Sequence, residues 1–228
     1  MSASAQPGQF VNILASDNGQ GPLLRRPFSI SRIEDDIIEL IFHAIGSGTK
    51  ILSRKRPGDR IDVIGPLGQP YHIDAEYDTA LLVAGGIGVA PFPFLTDHVL
   101  KKNKRIETFV GYRNTKQVFT RHLKQVSIAT DDGSEGFHGN VVQLLESSLV
   151  QDQYGKAKIF ACGPTVMLKA LAALARRMNI CCEMSLEGQM ACGFGICQGC
   201  AVERATDTAA YALVCKDGPV FLSTDVKL

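Results

Sequence analysis

The sequence has no tryptophan, no cysteine before position 162 and almost no net charge: 24 Lys and Arg stand against 23 Asp and Glu, for +1 at neutral pH. That balance argues against a strongly basic nucleic-acid-binding protein. The first twenty residues lack the basic and then apolar pattern of a signal peptide, so a cytoplasmic protein is expected. There is no internal repeat and no low-complexity tail. One long uncharged run, 79–96, has the length of a membrane span, but Gly85, Gly86, Gly88, Pro91 and Pro93 interrupt it. A helix so broken would leave backbone groups unsatisfied in lipid, so the run reads as a strand, a glycine turn and a helix, and no membrane association is expected. With 45% hydrophobic and 21% charged residues, wholesale disorder is excluded.

What the chain does have is seven cysteines in 228 residues, four of them between Cys192 and Cys215. The number is odd and the placement uneven, which does not suit a disulfide scaffold. In a reducing compartment, clustered thiols more often bind metal or carry out redox chemistry.

Three compositional zones follow. Residues 1–75 carry short apolar runs (9–14, 28–31, 37–44, 61–64) separated by Gly and Pro turns, the pattern of a β-barrel or sandwich. Residues 76–187 alternate strands (80–84, 106–110, 126–130, 158–162, 181–186) with helices (92–102, 141–149, 165–178), the signature of a doubly wound parallel sheet. Residues 188–228 are rich in Gly and Cys, with short strands at 201–203 and 211–214. This stretch is too short for a core of its own and implies a module held by a metal or by disulfides.

Cys192, Cys197, Cys200 and Cys215 give the spacing C-x4-C-x2-C-x14-C, whose first three members match a plant-type 2Fe–2S loop. Gly193, Gly195 and Gly199 let the backbone turn in tightly, so that four thiolates converge and amide groups face the inorganic sulfides. A structural zinc site is the alternative, although such sites favour two short Cys pairs and only one is present. Met190, Phe194 and Ile196 form either an apolar docking patch or the packing beneath the loop.

Gly85-Gly86-Ile87-Gly88-Val89-Ala90-Pro91 follows an apolar strand and precedes a helix, the context of a phosphate-cradling turn or of a merely tight one. Cys162-Gly163-Pro164 ends another strand and opens another helix. Two such turns at the carboxyl ends of parallel strands mark a nucleotide site. Gly111-Tyr112-Arg113-Asn114 ends a third strand and is either a ribose or adenine contact or an exposed loop. Arg26-Pro27-Phe28-Ser29 combines a cation, an aromatic ring and a hydroxyl. Strand alternation puts Arg26 and Phe28 on one face and Ser29 on the other. Gly46-Ser47-Gly48-Thr49 precedes a short helix expected at 50–54, a pyrophosphate-binding arrangement.

In this order these segments resemble the ferredoxin–NADP reductase superfamily. The run MACGFGICQGC is most similar to the PyrK family, the electron-transfer subunits of NAD-dependent (class 1B) dihydroorotate dehydrogenase. The resemblance covers nearly the whole chain. It implies an FAD-binding antiparallel β-barrel (1–75), an NAD-binding α/β domain (76–187) and a 2Fe–2S module (188–228). The family's barrel has a strand before the stretch matching Pro7–Val11, so the resemblance implies either a barrel without its first strand or a sequence start that is misplaced or truncated.

The resemblance further implies that Arg26, Pro27, Phe28 and Ser29 bind FAD, with Phe28 against the flavin and Ser29 near its N5. Phe42, His43 and Ala44 would line the flavin or ribityl side, and Gly48 and Thr49 would hold the pyrophosphate. Gly85, Gly86, Gly88, Pro91, Cys162, Gly163 and Pro164 would form the nicotinamide nucleotide site. Cys192, Cys197, Cys200 and Cys215 would ligate the cluster.

The implied partner is an FMN-containing catalytic dihydroorotate dehydrogenase subunit, two copies of each chain forming a heterotetramer. Related transhydrogenase or sulfhydrogenase subunits are the alternative, and a zinc-stabilised nucleotide-sensing module is the alternative of another class. Electrons would run between the partner and NAD through the cluster and FAD. No acid or base on this chain is required, because the flavin converts one-electron to hydride traffic. His43 is expected near the flavin, and His72, His98, His122 and His138 at surface or structural positions. Cys181 and Cys182 are expected to pack. Arg113 follows its strand, but the Asn114-Thr115-Lys116 after it is not a clear Ser/Arg phosphate-binding pattern, which favours NAD over NADP.

Overall fold

The computed structural model describes residues 2–16, 21–151, 154–205 and 211–228. The first sheet consists of β1 (Phe10–Leu14), β2 (Arg26–Glu34), β3 (Ile37–Leu40) and, after the one-and-a-half-turn helix α1 (Ser47–Leu52), β4 (Asp62–Leu67). Its order is β3-β2-β1-β4 and its observed pairings are antiparallel. Among the described residues β3 and β4 do not pair, so the expected barrel is an open sheet here. β3 stops at Leu40, short of the expected 44, because residues 41–45 leave the sheet as irregular chain. The helix expected at 50–54 begins earlier, at Ser47, where the Thr49 hydroxyl closes the turn onto Gly46.

The second sheet starts with β5 (Thr79–Gly85), buried along its whole length as an all-parallel central strand should be. It continues through α2 (Phe92–Lys101), β6 (Arg105–Tyr112), β7 (Val126–Thr130), the two-residue β8 (Phe137–His138), α3 (Val141–Gln151), β9 (Ala157–Cys162), α4 (Thr165–Arg177) and β10 (Cys181–Ser185). A hairpin, β11 (Ala201–Glu203) with β12 (Tyr211–Leu213), then carries the chain to β13 (Val220–Leu222). The strand order is β13-β10-β9-β5-β6-β7-β8, with β13 antiparallel and every other pairing parallel. The doubly wound topology expected for 76–187 is present. β8 and β13 were not legible. β13 also ties the end of the cysteine-rich segment into the nucleotide sheet.

The chain order reverses between β5 and β9, which makes a crevice at their carboxyl ends the natural ligand site. Helices cover both faces. Leu145 of α3 and Leu168, Leu171 and Leu174 of α4 pack on one, together with Cys200, Ala212, Val214 and Cys215 of the cysteine-rich segment. That segment therefore shares a core with the α/β domain rather than standing alone. On the other face Phe92, Leu95 and Val99 of α2 pack with Leu82, Phe160 and Tyr71. Phe94 of the same helix turns to the first sheet and joins Val11, Ile13, Phe28 and Ile30. Arg32 and Asp97 add an ion pair at 3.3 Å, so α2 holds the two sheets together.

The segment between β4 and β5 is fixed by a buried polar cluster. Lys158 and Glu183 pair at 2.9 Å, each almost wholly buried. Glu183 also accepts the His72 amide at 3.0 Å and pairs with His72 Nδ1 at 2.8 Å, while Lys158 donates to the His72 carbonyl at 2.8 Å. His72 is thus structural, as expected. Cys182 is buried, but Cys181 is exposed. β13 pairs with β10 only from Glu183 to Ser185 and leaves the first two residues of β10 outside the pairing, Cys181 exposed and Cys182 buried. No helix among the described residues is long and apolar enough to cross a membrane.

Candidate cofactor sites

Two clefts open on the carboxyl ends of β5 and β9. The first, of about 330 Å³, lies between the sheets. From the first sheet and the chain that follows β3 it takes Phe10, Pro27, Phe28, Ser29, Phe42, His43 and Thr49; from the second sheet and the turns beyond its strands, Ile87, Ala90, Cys162, Ser185 to Gly188, Met190 and Pro219. Phe28 and Phe42 stand with ring centroids 5.4 Å apart, tilted by 58°. Apolar walls with a few hydroxyls and one carboxylate suit a flat aromatic ring with polar edges, and a flavin fits that description. Three consecutive residues of β2 border the cleft. It therefore runs along the strand, and Phe28, paired with Val11, and Ser29, paired with Phe10, border it from opposite faces of β2, as strand alternation requires.

Arg26, Gly48 and Ala44 are not among the residues that line this cleft. The Arg26 guanidinium folds back to donate to the carbonyls of Leu24 at 2.6 Å and Arg25 at 3.2 Å. Gly48 is buried against Pro22, Ala15 and the Arg26 stem. Ala44 is exposed and outside the cleft lining.

The second cleft, of about 410 Å³, is lined by Gly85 and Gly86, by Gly111, Tyr112 and Arg113 after β6, by Asp131 after β7, and by Asn140, Pro164 and Met167. Gly86 has φ +54° with open space where a Cβ would be, as a backbone surface for a ligand requires. Gly88, Gly163 and Pro91 do not border either cleft. A Cβ on Gly88 would collide with the Cys162 carbonyl, and one on Gly163 would meet the Gly85 nitrogen at 2.9 Å. These glycines let the two turns interlock, and Pro91 caps α2. Asn114 caps the short turn after β6 by accepting from the Lys116 amide at 3.2 Å.

The interlocked turns are the wall between the clefts, with Gly85, Gly86 and Pro164 on one side and Ile87 and Cys162 on the other. Cys162 meets the first cleft as a neutral thiol: burial, reinforced by the Glu187 charge, pushes it up to about 12. Glu187 is open to water on one side, but the protein around it raises its own carboxyl.

The four loop cysteines form two pairs. The sulfurs of Cys200 and Cys215 are 3.2 Å apart. Cys192 accepts from the Cys197 amide at 3.4 Å, and the amides of Phe194 and Ile196 also face its sulfur. These donors, the Cys197 amide first, lower the Cys192 thiol to about 6. The Gly195 amide faces the Cys215 sulfur. Gly193 at φ +83° and Gly195 at φ +92° make the inward turns, while Gly199 is ordinary and Gln198, at φ +61°, takes the third left-handed position. Among the described residues no three ligating side chains converge on one point. Two thiol pairs with inward amides fit a two-iron cluster better than one tetrahedral zinc. Phe194 and Ile196 are exposed, whereas Met190 packs inward and lines the first cleft.

Residues 187–227 match the model of the iron–sulfur cluster binding domain of dihydroorotate dehydrogenase B. Over 97% of its length the chain is 35% identical to the dihydroorotate dehydrogenase B (NAD(+)) electron transfer subunit of Desulforamulus reducens, covering 87% of that protein. It is 39% identical to the same subunit of a Geobacillus species, again over 97% of this chain and 87% of the relative. The chain belongs to this family of electron transfer subunits. Its function is that of the family: electron transfer for an NAD-type dihydroorotate dehydrogenase in pyrimidine biosynthesis, with an iron–sulfur cluster, a flavin and NAD. Among solved structures, an NADH-dependent reduced ferredoxin–NADP oxidoreductase superposes with a TM-score of 0.84 at 29% identity, covering 99% of this chain and 81% of that one. A flavohemoglobin from Malassezia yamatoensis, at 19% identity and a TM-score of 0.60 over 77% of this chain and 49% of that one, shares the fold.

Sequence reasoning missed Glu187, Met190 and Ser185 in the first cleft and Asp131, Gln117 and Asn140 in the second. The one available signal was position: each lies at or just beyond the carboxyl end of a strand, or at the start of a helix facing one.

Proposed function

We propose that FAD occupies the first cleft with its ring between Phe28, Phe42 and Cys162, that NAD enters from the second cleft, and that Cys192, Cys197, Cys200 and Cys215 hold a 2Fe–2S cluster. The observation that carries this reading is the shared wall of two interlocked turns, which sets the two clefts end to end beside the cysteine loop. Bound there, a flavin exchanges hydride with nicotinamide and single electrons with the cluster. The chain's own residues position and shield. Phe28 and Phe42, packed against each other, form one apolar wall for the ring, Ser29 and Thr49 offer hydroxyls, and Gly86 exposes backbone amide surface to the nucleotide phosphates. Cys162 presents an uncharged thiol to the ring junction. Cys197 is the exposed ligand and lies between Phe194 and Ile196, the two exposed apolar residues of the loop. That face receives the FMN-containing catalytic subunit, in a cytoplasmic complex of two copies of each chain.

The test is co-expression with a candidate catalytic subunit. The expected result is a yellow-brown complex, with the mass of a heterotetramer, that reduces NAD with dihydroorotate. A colourless zinc protein, or one that forms no complex, rejects the proposal.

A further inference from the structure

β1 presents two faces. Val11 and Ile13 point into the core of the first sheet, and Phe10 and Asn12 point toward the α/β domain and the cysteine loop. Asn12 is fully buried in the middle of this junction. Its Nδ2 donates to the carbonyl of Cys192 at 3.0 Å, across 180 positions of sequence. The contact requires Gly193, since a Cβ there would collide with Asn12 Nδ2. Asn12 Oδ1, equally buried, has no partner among the described residues. A leucine of similar size would avoid that unpaired oxygen, so stability alone does not account for an amide here.

The same junction is where cofactor sites approach each other. Met190 lines the first cleft and stands two residues before Cys192, while Phe10 lines it from β1, two residues before Asn12. Of the four cysteines, Cys200 and Cys215 are buried in the α/β core and Cys197 faces outward. We propose that Cys192 is the ligand through which the cluster exchanges electrons with the flavin, and that Asn12 is the positioning residue that fixes this ligand against the flavin sheet. This rests on the assignment of FAD to the first cleft and of the cluster to the four cysteines. Hydrogen bonds around ligands set both orientation and potential of a cluster.

The experiment uses the full chain, purified anaerobically with its cofactors, and the variants Asn12→Leu and Asn12→Asp. Leucine keeps the volume and removes the donor; aspartate keeps the shape and turns an acceptor toward the Cys192 carbonyl. After mixing with NADH, flavin bleaching and cluster bleaching are followed separately, and the cluster's midpoint potential is titrated. Hydride from NADH reduces the flavin, releasing NAD, and the flavin passes single electrons to the oxidised cluster.

Both variants should retain FAD and iron and bleach the flavin at the wild-type rate. Cluster reduction should slow severalfold, more so with aspartate, and the midpoint potential should shift. Wild-type cluster rates and potentials in both variants overturn the proposal. Loss of FAD or iron from both also overturns it, because Asn12 would then hold the fold and not the junction. Failure of the underlying assignment looks different: the wild-type chain itself would lack flavin or a cluster that NADH reduces.

Discussion

The sulfurs of Cys200 and Cys215 stand 3.2 Å apart because the β11–β12 hairpin brings its two ends together, with Ala201 paired to Leu213 and the Val214 amide bonded to the Cys200 carbonyl at 3.0 Å. This pair is buried, and the Cys192–Cys197 pair lies on the outer loop. Iron removed by a chelator in air should leave Cys200 and Cys215 to oxidise to a disulfide, two thiols giving up two hydrogens to oxygen. Peptide mapping is expected to find Cys200 joined to Cys215, and cluster reconstitution to require a thiol reductant first. A scrambled pattern would show that the hairpin does not hold the pair.

Lys158 and Glu183 make the strongest stability prediction. Both are charged and almost wholly buried, and together they hold the His72 backbone against the sheet. Removing one partner of such a pair strands the other charge and costs about 3–5 kcal/mol, whereas replacing both by apolar residues is far better tolerated. Lys158→Met should therefore lower the urea midpoint more than the double change Lys158→Met with Glu183→Leu. Equal losses would mean that the pair acts only by filling space.

Asp131 and Arg113 border the second cleft with opposite charges, at the ends of adjacent strands. Asp132 is already engaged by the Ser134 amide at 2.9 Å, which leaves Asp131 as the carboxylate bordering the cleft. A carboxylate at a ribose accepts its hydroxyl and repels a 2′-phosphate. Asp131→Ser should move the preference toward NADPH by about tenfold, the scale of one removed like-charge contact. Steady-state kinetics with the two nucleotides measure it. An unchanged ratio would transfer discrimination to Arg113.

How much of this was legible follows from how far apart the interacting residues lie. Cys192, Cys197 and Cys200 sit within one loop, so their spacing alone carried the chemistry, and Gly193 and Gly195 took the left-handed turns that the glycines suggested. The turns at Gly85 and Cys162 were legible because strand, turn and helix are contiguous. Their interlocking was not, since it needs Gly88 of one turn against the Cys162 carbonyl of the other. Arg26 carried a plausible charge for phosphate, and its local backbone captured the guanidinium instead. Asn12 with Cys192, and Lys158 with Glu183, are polar contacts across separate elements, which no periodicity records. The open edges of β3 and β4 likewise depend on a pairing between distant segments.

Glu187 connects protonation with the first cleft. Its folded-state carboxyl is raised, by loss of water around it, above the ordinary value it has in the unfolded chain. Between those two values the folded chain holds a proton that the unfolded chain has released. Stability therefore falls as pH rises through that window and levels off above it. Glu187→Gln removes this slope, so its thermal unfolding midpoint should decline less than the wild type's between acid and neutral pH. The same change removes the charge that helps hold the Cys162 thiol at about 12. Iodoacetamide at alkaline pH should then modify Cys162 faster in the variant, while exposed Cys181 reacts first in both proteins. Parallel unfolding curves and unchanged Cys162 labelling would show that the Glu187 carboxylate is solvated and does not act on the cleft.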